Sequence, residues 1–223
     1  MRHSFRKCLL TAVGVLLAAG AAHASTVYSS APTGGVVAPF AVPDTTTYGE
    51  TFTAPVGPDT QLDSFGMWFQ GSVSQAIGGV ATWTGTGAGV SLFTSAPVSA
   101  SFGSLTEIII STGGLVLTPG AQYVIYFTNA TDLLPGNSGS DDSRLGPGTV
   151  LDAGALGGAS WDNANGGGPI HANWNGCQAC GNIGLYFAYD MTFSAPAHTP
   201  EPMSMALVGM GLAGLALARR RRA

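Results

Sequence analysis

Leu185, Phe187, Tyr189, Met191 and Phe193 recur at strict period 2, with Tyr186, Ala188, Asp190 and Thr192 between them. Successive side chains of an extended strand point to opposite faces, so this pattern predicts a strand with one face buried. Phe65, Met67 and Phe69 repeat the motif, as do Tyr123, Ile125 and Phe127; Tyr48 to Thr53 reads as the first clear strand. Shorter candidates are Val80 to Thr84, Val90 to Thr94, Glu107 to Ser111 and Leu115 to Leu117. Thr118-Pro119-Gly120 supplies turn chemistry before the Tyr123 strand, since Pro presets φ and Gly accepts φ > 0. No stretch of this region holds a helical period over ~12 residues. Short strands separated by Gly and Pro predict an all-β body, an antiparallel β-sandwich of jelly-roll type.

The material for a core is present. Nineteen of the 20 aromatic residues lie between Ser25 and His198, and the 33 Gly and 13 Pro make up about a fifth of the 223 residues. That fraction is below the ~25–30% of unstructured low-complexity chains. The expected organisation is a leader at 1–24, one sandwich body at 25–198 with a loose N-terminal stretch, and a tail at 199–223. Charge sharpens the division. Of eight cations, Arg2, Arg6 and Lys7 open the chain and Arg219 to Arg222 close it, leaving Arg144 against eleven carboxylates in the body. A body at a formal −10 repels phosphate backbones, which excludes nucleic acid as its partner.

The two cationic ends flank apolar segments. Arg2, Arg6 and Lys7 precede an apolar run from Cys8 to Ala22, followed by Ala22-His23-Ala24. A charged start, an apolar run shorter than the ~20 residues of a spanning helix and an A-x-A site make a secretory signal peptide. Ala22 and Ala24 mark the expected signal-peptidase site, and Cys8 leaves with the signal helix. At the other end, Pro200-Glu201-Pro202 precedes sixteen uncharged, mostly apolar residues, Met203 to Ala218, and then Arg219, Arg220, Arg221 and Arg222. This predicts a short transmembrane helix whose basic end stays cytoplasmic, with the Arg cluster stopping transfer.

Pro-Glu-Pro, apolar span and Arg cluster, in that order at the extreme C-terminus, resemble the PEP-CTERM sorting signal of bacterial exported proteins. The same region also circulates under the label of an ice-binding protein C-terminal domain, which implies nothing about ice binding by the body. The resemblance covers about a tenth of the chain. It implies that an exosortase, a membrane-embedded transpeptidase-like enzyme, processes the protein, with Pro200, Glu201 and Pro202 as the recognition tripeptide. It further implies transient anchoring in the inner membrane, then the cell envelope, outer surface or extracellular matrix, in bacteria that often make exopolysaccharide and biofilm. Within the same tail, Gly209-x-Gly211-x-x-Gly214 matches a dinucleotide fingerprint by letters only, lacking the preceding strand and later acidic residue that phosphate binding requires.

Within the body, chemistry-bearing residues are few. Cys177 and Cys180 form the one cysteine pair that survives signal cleavage, and an oxidising compartment predicts a disulfide there. Zinc requires four ligands, and His171 is the one nearby candidate; a redox motif would need an adjacent βαβ unit. His171 has no Gly-x-Ser-x-Gly elbow to serve as its nucleophile. Asp59 with Asp63, or Asp141 with Asp142, are carboxylate pairs of the type glycoside hydrolysis uses, though spacing selects neither. The stretch 130–182, rich in Asp, Asn and Gly and holding Trp161 and Trp174, is where a sugar-binding surface is expected. No cofactor is expected; Asp162, Asn163 and Asn165 suit Ca²⁺ by ligand type, without an EF-hand or calcium repeat. The expected function is that of a non-enzymatic, structural or carbohydrate-associating envelope or matrix protein. Its rivals are a secreted polysaccharide hydrolase and a self-associating adhesin or surface-layer component.

Overall fold

A computed structural model describes residues 25–40, 45–130, 133–134, 143–146, 148, 155–162, 186–196 and 211, with backbone alone for 38, 39, 143 and 155–162. Ten strands follow in order: β1 (Thr26–Ser30), β2 (Val37–Phe40), β3 (Thr45–Thr53), β4 (Gln61–Trp83), β5 (Ala88–Thr94), β6 (Val98–Val116), β7 (Gln122–Thr128), β8 (Ser143–Leu145), β9 (Ala155–Asp162) and β10 (Tyr189–Ser194). The pairings are antiparallel except for one bridge between Phe40 and Thr45. The all-β antiparallel expectation holds. The N-terminal signal helix and the C-terminal transmembrane helix fall outside the described residues, among which no helix is long and apolar enough to cross a membrane.

The sandwich is one continuous curled sheet, because the 23-residue β4 runs through both of its halves. In the first half, β4 lies between β10, paired at 61–67, and β6, paired at 61–76; β1 flanks β10. In the second half, residues 77–83 of the same strand lie between β7 and β5, and β3 and β9 extend the sheet beyond β7. The change of partner begins where the β4–β6 register slips between Phe69 and Gly71. Gly71 has φ of 94°, a conformation that favours glycine, and such a bulge raises local twist and bends a strand. β8 and β2 attach near this bend, with Leu145 opposite Phe69 and Arg144 opposite Gln70.

The halves close on aromatic side chains. Phe127 of β7 packs edge-on against Phe65 and Phe69 of β4, with centroids 5.9 and 5.0 Å apart. Tyr48 meets Phe187 at 5.2 Å and Phe52 meets Phe193 at 6.0 Å. All of these rings are fully buried or nearly so. Burying one such side chain contributes about 1.5–3 kcal/mol, so the aromatic layer is the main source of cohesion. Glu50 lies fully buried on the same inner face of β3, where its Oε2 accepts the Phe187 N–H at 3.1 Å and ties the approach to β10 across the core. The expected turn is present: Ala121 N–H donates to the Thr118 carbonyl at 3.2 Å, and Gly120 has φ of 71°.

The second half is buried on its outer face as well. Val124, Tyr126, Ala81 and Ala130 form a smaller cluster there. Tyr126 stands directly between Gly49 of β3 and Gly79 of β4; a side chain added at Gly79 would collide with its ring, and one added at Gly49 with the Ile125 carbonyl and Val124 beside it. Gly79 thus provides the space the tyrosine ring occupies, and Gly49 lets β3 lie close against β7.

Three sequence expectations are corrected. Residues 26–30, read as part of a loose stretch, form β1 and pair with β10. Phe65 to Phe69 and Val80 to Thr84, read as separate strands, are joined in β4, which ends at Trp83. Glu107 to Ser111 and Leu115 to Leu117, also read apart, are joined in β6 through Val116. In each long strand, a bulge breaks the two-residue period.

Candidate functional site: a carboxyl pair on the outer sheet face

Side chains of the first half that do not enter the core stand on its outer face. Register places Ser29 of β1, Asp190 and Thr192 of β10, Ser64, Gly66, Trp68 and Gln70 of β4, and Glu107, Ile109 and Ser111 of β6 there. β6 and β10 are not neighbours, since β4 separates them. Gly66 is the reason their carboxyls nevertheless meet. It is paired with Asp190 on one side and Ile109 on the other, and the Glu107 carboxylate occupies the space a Cβ at 66 would fill. Glu107 therefore reaches across β4 into hydrogen-bonding range of Asp190.

Burial, then the Asp190 charge, then the hydrogen bond between the two carboxyls push Glu107 from 4.5 up to about 7. Two carboxylates this close cannot both ionise cheaply, so the pair holds one proton near neutrality. Glu107 Oε1 is buried without a hydrogen-bond partner among the described residues, as is Trp68 Nε1 on the neighbouring strand. The face therefore carries a proton-sharing pair beside an indole, with hydroxyls of Ser29, Ser64, Ser111 and Thr192 around it.

A pH dependence follows. The folded form keeps the Glu107 proton after the unfolded chain has lost it, so this pair's contribution is full below ~4.5 and is lost as pH rises through about 7. Because the group is partly solvated, the loss is on the order of 1 kcal/mol. Urea midpoints measured from pH 4.5 to 8 should fall across that window in the native protein and stay flatter in Glu107→Gln. Parallel curves for the two proteins would refute the shared proton.

The carboxylates singled out in the sequence behave differently. Asp59 accepts the Thr26 hydroxyl at 2.8 Å and anchors the start of β1, while Asp63 accepts from Gln61 Nε2 at 3.0 Å. They are engaged separately and form no shared site. Arg144 is exposed on β8. Asp141, Asp142, His171, Trp174, Asn163, Asn165, Cys177 and Cys180 lie outside the described residues, as do Ala22, Ala24, Pro200, Glu201, Pro202 and Arg219 to Arg222. For Trp161 and Asp162 the backbone places them opposite Thr47 and Thr45. Among the described residues, no group of three or more His, Cys, Asp or Glu can hold a metal ion. Sequence reasoning missed Glu107 and Asp190. The available signal was a carboxylate in mid-strand within a body whose one cation cannot neutralise both.

Comparison with known proteins gives a specific match at the tail. Residues 198–222 match the family model of the PEP-CTERM protein-sorting motif. No curated protein matches the chain. Among solved structures, one similar chain comprises the cysteine protease and lectin-like domains of Cwp84, a surface layer associated protein of Clostridium difficile. The identity is 12% and the TM-score 0.45, over 77% of this chain and 36% of that one, so this chain spans about a third of its length. The matched tail contains the tripeptide Pro200-Glu201-Pro202 and the cluster Arg219 to Arg222. The C-terminal segment is a PEP-CTERM sorting motif, and it marks the chain as an exported protein, processed by exosortase and destined for the cell envelope or beyond.

Proposed function

We propose that the sorted product is a non-enzymatic component of the cell envelope or extracellular matrix that associates with exopolysaccharide through the outer face of β1, β10, β4 and β6. The observation that carries this reading is the composition of that face: hydroxyls and a proton-sharing carboxyl pair surround Trp68 on a rigid sheet. Sugars are bound by such combinations of an aromatic surface and short polar groups. The biofilm setting belongs to the same proposal and rests on the sorting motif.

A hydrolase is the reading to set against it, since Glu107 holds a proton near pH 7. Its geometry favours binding. Glycosidase carboxyls stand ~5–9.5 Å apart to flank the scissile bond, whereas Glu107 and Asp190 hydrogen-bond to each other. The test incubates the full exported chain with a panel of immobilised polysaccharides and assays both retention and release of reducing ends. Retention without turnover is expected, weakened several-fold in Trp68→Ala, with the urea midpoint recorded to confirm folding. Retention on none of the panel would refute polysaccharide association. Release of reducing ends abolished by Asp190→Asn would establish the hydrolase instead.

A further inference from the structure

The geometry of β6 points to a second copy of this chain as a partner, joined edge to edge in an antiparallel pair centred on Ile109. This inference is independent of polysaccharide binding. β6 pairs with β4 along one side, and among the described residues no strand pairs with its other side. Such an edge presents a row of backbone donors and acceptors ready for another strand.

Natural edges are blunted by Lys, Pro or bulges. β6 contains no Lys, Arg or Pro. It does contain two bulges. The β4–β6 register slips between Thr106 and Phe102, and again between Ser111 and Leu115, where Gly113 and Gly114 have φ of 69° and 92°. Between these irregularities, Thr106 to Ser111 pair with Phe69 to Ser64 without interruption. The edge is therefore broken at both ends and regular in the middle.

That middle reads Thr106-Glu107-Ile108-Ile109-Ile110-Ser111-Thr112, which is nearly the same in both directions. A two-fold axis through Ile109 makes an antiparallel pair match like with like: Ile109 meets Ile109, Ile108 meets Ile110 and Thr106 meets Thr112. Glu107 faces Ser111, so no carboxylate opposes another, and β-branched residues meet across the strands as sheet pairing favours. A closed two-fold contact of this kind uses one patch twice. Ile109 is 62% exposed on the outer face, and the arrival of its copy covers it.

The register can be tested by crosslinking. Directly opposed residues of an antiparallel pair have Cα atoms ~4.5–5.5 Å apart, inside the range a disulfide spans. In the full chain, Ile109→Cys should form a covalent dimer under mild oxidation with a yield about tenfold above that of Ser99→Cys. Ser99 is exposed on the same strand, but in this register the two copies of position 99 lie twenty residues apart, roughly 66 Å. The apolar ends are common to both variants, so association through the tails raises both yields equally. Sedimentation of the unmodified chain should show a concentration-dependent dimer that Ile109→Lys abolishes. A strict monomer at high concentration, or equal crosslinking at positions 109 and 99, would overturn the proposal.

Discussion

Phe127→Ala should destabilise the body by about 3–5 kcal/mol, the largest loss expected of any single truncation. Phe127 is fully buried at the centre of the sandwich and touches Phe65 and Phe69, both on the stretch of β4 that precedes its bend at Gly71. Removing the ring deletes both edge-on contacts and leaves a cavity walled by strands from both halves. Those strands cannot close in, because hydrogen bonds fix β7 between β3 and β4. A domain's whole stability is ~5–15 kcal/mol, so the variant approaches global unfolding at 37 °C. Urea denaturation followed by tryptophan fluorescence measures the loss. Val56→Ala, at a loop residue 83% exposed, serves as the neutral reference and should shift stability by less than ~0.5 kcal/mol.

Gly49→Ala comes next, for the opposite reason. An added Cβ at 49 would lie 2.6 Å from the Ile125 carbonyl oxygen and 2.8 Å from Val124 Cγ2. A flexible side chain can yield to such an intrusion; a backbone carbonyl in the neighbouring strand cannot do so without separating β3 from β7. Tyr126, packed over the same position, is fully buried and has no room to retreat. Overpacking of this kind costs about 1–3 kcal/mol, and the backbone clash places this site at the upper end or beyond. Gly57→Ala, where nothing lies within 4 Å, isolates the steric term from glycine's entropy and should be close to neutral or slightly stabilising. Equal midpoints for the two variants would show that β3 and β7 are less constrained than this packing requires.

How far the fold was legible depended on where binary pattern and burial coincide. The Phe65, Tyr123 and Phe187 segments alternate cleanly, and each places its aromatic residues in the core as read. Bulges hid the lengths of β4 and β6: where the register slips, between Val73 and Ala76 on β4 and between Ser111 and Leu115 on β6, the apolar residues change phase, and one strand looks like two. β1 was missed because Val27 is exposed while Tyr28 faces the core, so a five-residue segment carries apolar residues on both sides. Glu50 ran against the pattern altogether, a carboxylate on the buried face between Tyr48 and Phe52, stabilised there by the Phe187 N–H. The carboxyl pair was illegible for a related reason. Glu107 and Asp190 are eighty-three positions apart, and only a glycine on the strand between them lets their side chains meet. Asp59 with Asp63, and Asp141 with Asp142, stand close together in sequence and are the pairs a linear reading picks out. The tail needed no fold at all, since a tripeptide, an apolar length and a cationic cluster are read by processing machinery in linear order.

The central claim is that this is a β-sandwich delivered outward by a C-terminal address. It is tested most directly by expressing the full chain in two otherwise identical hosts, one with exosortase and one without, and measuring intact mass and location. With the enzyme, the product should lack the segment carrying Arg219 to Arg222 and leave the inner membrane. Without it, that segment should remain and hold the protein there. Identical C-terminal mass and membrane retention in both hosts would contradict the account.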